Sequence, residues 1–126
     1  SPRFCAVLDS HMQAISTALL TDRDVLLFFS YSGSTKELID VMNTAGRTGV
    51  KIILVTRFPK SPGAVHADVV LQCGDNEGPL QPGSVPARMA QLFLVDALFC
   101  EMCRLTSENV EENREKVAQA LSERHL

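Results

Sequence analysis

The sequence predicts a small α/β domain built on a parallel sheet. Three observations carry this. The apolar runs Val25-Leu26-Leu27-Phe28-Phe29 and 50–55 are nearly continuous rather than alternating, so both of their faces need cover. Stretches with apolar residues at helical spacing separate and follow the runs. The crossovers are long enough for right-handed strand–helix–strand units, which make neighbouring strands parallel. A chain of 126 residues, 45% hydrophobic and 21% charged, suits one globular domain with a shared core.

The elements follow in order. Residues 4–8 form a short apolar run that reads as a strand. Residues 11–20 carry Met12, Ile15, Ala18 and Leu19 at helical spacing, and Thr21-Asp22-Arg23-Asp24 is a polar turn. The strand Val25-Leu26-Leu27-Phe28-Phe29 runs into a serine-rich turn. Leu38, Ile39, Val41, Met42 and Ala45 then repeat at helical spacing up to Gly46, and Gly49 ends the connection. Residues 50–55 are a strong strand, interrupted only by Lys51. Residues 58–62 are a loop, 63–67 a brief helical turn, and Val69-Val70-Leu71 a strand. Glycine and proline make 73–83 a loop next to a candidate site. Residues 85–103 are apolar nearly all round a helical axis, a pattern of burial under a sheet or against another subunit. Residues 107–121 form a charged amphipathic helix with Val110, Val117 and Leu121 on one face.

Charge and cysteine narrow the function classes. Twelve basic against fifteen acidic residues give a net charge of -3, so no general attraction to nucleic acid or anionic membrane is expected. No stretch of membrane-spanning length and no secretory signal core appears. Cys5, Cys73, Cys100 and Cys103 lie in or beside apolar runs, which reads as buried free thiols in a reducing, cytoplasmic setting. Cys100 and Cys103 sit three apart on a helix without histidines at ligand spacing, so no metal site is expected.

The strand-to-helix turn Ser30-Tyr31-Ser32-Gly33-Ser34-Thr35 is the best candidate site. In an open α/β sheet, ligands bind beyond the carboxyl ends of the strands. There a helix start presents unpaired N–H groups and the positive end of its dipole. Hydroxyls add donors, and Gly33 lets the backbone fold tightly and approach a ligand. The combination suits a phosphate oxyanion. It matches neither the Walker pattern nor the G-x-G-x-x-G dinucleotide pattern. The plainer reading is that Ser34 caps the helix and Glu37 closes a capping box. The two readings are compatible.

Ser30-Tyr31-Ser32-Gly33-Ser34-Thr35-Lys36-Glu37 resembles the S-x-S-G-x-T-x-E signature of the sugar isomerase (SIS) domain family. The flanking strands and His66-Ala67-Asp68-Val69-Val70-Leu71 are similar to its other segments. Gly83-Ser84-Val85-Pro86-Ala87-Arg88-Met89-Ala90-Gln91-Leu92, followed by Asp96-Ala97-Leu98-Phe99, resembles the effector domain of RpiR-type transcription regulators. The resemblance implies a three-layer α/β/α sandwich with a parallel sheet, flavodoxin-type and Rossmann-like. It implies that 1–126 is an N-terminally truncated SIS domain, lacking the first helix, the first strand and the upstream helix-turn-helix DNA-binding domain. The missing strand would leave open sheet edges, which seek partners.

The resemblance also implies a phosphosugar ligand. Ser30, Ser32 and Thr35 match the hydroxyls that hold the phosphate, Gly33 the turn glycine, and Ser34 the variable position. Arg88 matches an arginine of the pattern, and a guanidinium reads phosphate bidentately or braces a loop. Glu77, in the loop before the long helix, is placed to face sugar hydroxyls. For isomerase chemistry, an acid and a base near C1 and C2 are required. Glu37, Glu77, His66 and His11 are the candidates, and no carboxylate–histidine pair is evident. The expectation is therefore a phosphosugar-sensing, homodimeric, non-enzymatic effector domain without cofactor, metal, membrane or direct nucleic-acid contact. The alternatives are a phosphosugar isomerase and a dimerisation module without ligand.

Overall fold

The protein is described by a computed structural model, in which residues 3–74 and 85–124 are described, 107–110 by backbone alone. The element order is α1 (Ser10–Ala18), β1 (Val25–Phe29), α2 (Lys36–Gly46), β2 (Lys51–Thr56), a 3-10 turn (Pro62–His66), β3 (Val69–Gln72), α3 (Val85–Leu105) and α4 (Ser107–Ser122). The helical periods and continuous strand runs of the sequence fall where they were expected, within a few residues at the ends. The fold is α/β: the sheet is three-stranded and parallel, in the order β1-β2-β3. Val25 lies opposite Lys51 and Ile53 opposite Val69, so β2 is the central strand.

Two compact units divide the chain, residues 1–88 and 89–126. In the first, Leu38, Met42 and Ala45 of α2 close on Val50, Ile52 and Leu54, with Leu20, Leu26 and Phe28 packed around them. Each fully buried aliphatic side chain here contributes roughly 1.5–3 kcal/mol. Side chains alternate across a strand, so Val25, Leu27 and Phe29 point to the opposite face, beside Ile53, Val55, Val69 and Leu71. Val55 is buried there, whereas Leu27, Phe29, Val69 and especially Val25, at 59%, stay exposed. In the second unit, α3 carries an exposed apolar set, with Phe93 at 77% and Met89, Leu92, Val95 and Phe99 also exposed. Val117 and Leu121 of α4 are exposed as well.

Two expectations are corrected. Residues 4–8 are not a strand: they have no regular structure, and Phe4 and Leu8 are exposed. An apolar run becomes a strand only where another strand takes its backbone N–H and C=O groups, and among the described residues this one pairs with none; its Val7 and Leu8 carbonyls accept instead from the Gln13 side-chain amide. The cysteines are free but not buried, since Cys5 and Cys100 are exposed and Cys73 and Cys103 half-buried. Their neighbours in sequence are apolar, but those on either side of Cys5, and Phe99 before Cys100, are themselves exposed. The long helix, expected to be buried under the sheet or against another subunit, is exposed along most of its apolar length in the single chain, which leaves the second of these open. Among the described residues, no helix is long and apolar enough to cross a membrane.

Candidate functional site

The serine turn begins before the sheet has ended. Ser30 N–H donates to the Val55 carbonyl at 2.9 Å, Arg57 N–H to Tyr31 at 3.1 Å, and Cys73 N–H to Thr56 at 2.9 Å. These bonds extend the ladder one or two residues past the strands and fix where the turn departs. Gly33 then takes φ +64°, the left-handed region that glycine enters without steric cost. Its carbonyl accepts from Gly63 N–H at 2.8 Å. A trans peptide sends its N–H opposite to its carbonyl. Pinning the Gly33 carbonyl to the segment after β2 therefore turns the Ser34 N–H the other way.

The hydroxyls line this turn in sequence. Ser30 Oγ accepts from Gly33 N–H at 3.1 Å, Ser32 Oγ from Ser34 N–H at 3.3 Å, and Thr35 Oγ1 from Leu38 N–H at 3.3 Å. A hydroxyl that accepts keeps its own proton to donate. Ser30 is buried, Ser32 half-buried, and Ser34 and Thr35 exposed, so the turn grades from a floor to an open rim. Thr35, not Ser34, is the N-cap of α2. The helix starts one residue later than the capping-box reading required. Leu38 therefore occupies the third helical position, Glu37 the second, and the reciprocal bond of a box is not made. Glu37 still lies in the first turn, where a carboxylate is favoured by the helix dipole. The arrangement can hold an oxyanion: an eleven-residue helix starts at three ordered hydroxyls and a glycine turn.

The floor of the turn comes from the segment after β2, which the sequence reading passed over. Thr56 is buried; its Oγ1 donates to the Tyr31 carbonyl at 3.0 Å and accepts from Phe58 N–H at 3.2 Å. A methyl group on Gly33 would fall 2.0 Å from Ser61 Oγ, and one on Gly63 2.9 Å from the Gly33 carbonyl. Thr56, Ser61 and Gly63 thus grip the turn. Their sequence signal is weak, because Ser61-Pro62-Gly63 reads as an ordinary loop. Beside the turn, the Tyr31 and Phe58 rings meet edge to face at 5.8 Å, and the Arg57 guanidinium lies 5.6 Å over the Phe58 ring.

The structure brings together Ser30, Ser32, Gly33, Ser34 and Thr35. Arg88 is exposed in the first turn of α3, and the described hydrogen bonds do not tie it to the serine turn. Glu77 lies outside the described residues. His11, His66 and Asp96 are all exposed. On α3 the Arg104 guanidinium lowers the Glu101 carboxyl from its ordinary value, an exposed pair remote in sequence from the turn. No group of three or more His, Cys, Asp or Glu that could hold a metal ion occurs among the described residues.

Comparison with known proteins places this turn in context. The profile of the SIS domain matches residues 4–101. An HTH-type transcriptional regulator of Caldanaerobacter subterraneus is 33% identical over 121 residues, 96% of this chain and 43% of that protein. The HTH-type transcriptional regulator RpiR of Escherichia coli is 34% identical over 108 residues, 86% of this chain and 36% of that protein. The chain therefore spans less than half the length of these curated relatives. Among solved structures, the NanR protein of Vibrio vulnificus complexed with ManNAc-6P superposes with a TM-score of 0.78 at 26% identity, over 92% of this chain and 44% of that one.

Proposed function

This chain belongs to the SIS domain family, and we propose that it is the phosphosugar-sensing effector domain of a helix-turn-helix transcription regulator of carbohydrate metabolism. The observation that carries the proposal is the serine turn: three hydroxyls, each already oriented by a backbone N–H, set at the start of α2. Its likeness to HTH-type regulators and to NanR with ManNAc-6P supports the same reading.

In this reading the phosphate sits over the α2 N-terminus. Ser30, Ser32 and Thr35 donate their hydroxyl protons to its oxygens, and Gly33 lets the backbone approach. Ser34, at the rim, adds its hydroxyl. Arg88 supplies a cation from the start of α3, and Glu77 takes the sugar hydroxyls. The protein works in the cytoplasm as a homodimer. The segment itself does not touch nucleic acid; ligand binding shifts the dimer that positions two DNA-reading domains in the full regulator.

Calorimetry is expected to show sugar phosphates, among them ManNAc-6P and glucose 6-phosphate, binding well above the matching unphosphorylated sugars. Equal affinity for both members of each pair would remove the phosphate assignment. A hydrogen bond to a charged group is worth about 1.5–3 kcal/mol, so Ser32→Ala should weaken phosphosugar binding about tenfold or more. An unchanged affinity would leave these hydroxyls with capping alone.

The domain is a sensor rather than an isomerase. Isomerisation needs a paired acid and base at C1 and C2, and His11 and His66 are exposed side chains for which the described hydrogen bonds show no carboxylate partner. Incubation of aldose and ketose phosphates in deuterated water should give no exchange at C2 by NMR. Sustained exchange that disappears in Glu77→Gln would make the protein an enzyme.

A further inference from the structure

We infer that Ser61 is a positioning residue of the anion-binding turn, its hydroxyl held in reserve beneath Gly33 for the liganded state. The inference rests on the phosphosugar reading of the turn and extends it to a residue from a different loop. Ser61 is 7% exposed, and its Oγ has no hydrogen-bond partner among the described residues. A buried hydroxyl without a partner is uncommon and calls for a reason. The residue stands at the N-cap of the 3-10 turn Pro62–His66. A serine there ordinarily accepts from an N–H two or three residues ahead. Ser61 makes no such side-chain bond. Its Oγ is instead directed at Gly33, only 2.0 Å from where a Cβ on that glycine would stand.

Two hydroxyls lie against Gly33 from below, and they differ in one respect. Thr56 Oγ1 is committed, donating to the Tyr31 carbonyl and accepting from Phe58 N–H. Ser61 Oγ is not committed. In the unliganded turn, the Gly33 N–H is occupied by Ser30 Oγ and the Ser34 N–H by Ser32 Oγ. An oxyanion arriving above the turn competes for those N–H groups and for the serine protons. The Ser30–Gly33 pairing must loosen as it does so. Ser61 is then the polar group under Gly33 with unused capacity to donate or accept. It compensates whichever partner the ligand draws away, without itself touching the ligand.

The test separates this role from a packing role. Removing an unpartnered buried hydroxyl relieves a desolvation cost, so Ser61→Ala is expected to keep or raise the unfolding midpoint. At the same time its affinity for ManNAc-6P and glucose 6-phosphate should fall about tenfold. The ligand-induced shift of the Gly33 amide resonance should shrink, while that of Leu38, at the other end of the turn, is retained. Equal affinity and an unchanged Gly33 shift in Ser61→Ala, with normal binding by the unsubstituted chain, would overturn the inference and leave the phosphosugar reading standing. Failure of the unsubstituted chain to bind any sugar phosphate would overturn both. A Ser61→Ala chain with a lowered midpoint would show that the hydroxyl is already satisfied, and would also overturn the inference.

Discussion

Gly33→Ala is expected to abolish phosphosugar binding and to destabilise the protein by several kcal/mol. Two costs combine. The backbone of Gly33 holds φ +64°, and an L-residue in that region costs roughly 1–2 kcal/mol. The new methyl would also stand 2.0 Å from Ser61 Oγ, 2.6 Å from Ser61 Cβ and 3.0 Å from Thr56 Oγ1. Ser61 and Thr56 are both buried, so neither yields without disturbing the packing. Overpacking of this kind typically costs about 1–3 kcal/mol. The chain escapes the overlap only by lifting the turn, which breaks the Gly63 N–H bond to the Gly33 carbonyl and moves Ser32 and Ser34 out of place. Urea unfolding and calorimetry with glucose 6-phosphate check the two effects. Gly46→Ala is the internal control: a methyl there meets nothing within 4 Å. The site is helical, so alanine should be neutral or stabilise by about 0.5–1 kcal/mol. Equal midpoints and equal affinities for the two variants would refute the strained, tightly floored turn.

The second large effect is on assembly. The chain is expected to form a dimer through α3, and Phe99→Glu to shift it to monomer or render it insoluble. Leu92, Phe93, Val95 and Phe99 are exposed on a helix that needs only one apolar stripe for an ordinary surface position. The final helix does not hide this surplus, since Phe93 stays 77% exposed and Val117 and Leu121 of α4 are exposed themselves. Fully burying each such side chain contributes roughly 1.5–3 kcal/mol. A stable pair ordinarily buries about 1,600 Å² in total, and closed two-fold dimers are the commonest soluble homo-oligomers. Sedimentation equilibrium at micromolar concentration should give twice the 13.8 kDa chain mass. A single species at the chain mass would defeat the dimer. A dimer unaffected by Phe99→Glu would place the interface elsewhere.

The sequence by itself determined the elements whose period is strong. The uninterrupted run Val25–Phe29 and the apolar core of Lys51–Thr56 could be little other than parallel strands, and Leu38, Met42 and Ala45 put one face of α2 on them. It also determined the turn chemistry, because serine, glycine and threonine between a strand and a helix act through their own backbone neighbours. Local interactions decide these features, so a local pattern reveals them.

Only the tertiary structure decided the rest. Residues 4–8 are as apolar as a strand, yet pairing is a property of two segments, and among the described residues no strand lies beside this run to pair with it. The cap fell on Thr35 rather than Ser34 because Gly33, pinned by Gly63 N–H and pressed by Ser61, sets where the chain enters α2. The cysteines and the apolar residues of α3 are hydrophobic by composition, but burial depends on what covers them, and composition does not specify the cover. Ser61 lies twenty-eight residues beyond Gly33 and carries no motif. Its place under the turn follows from β1 and β2 pairing in parallel, which delivers the loop after β2 to the same end of the sheet as the serine turn.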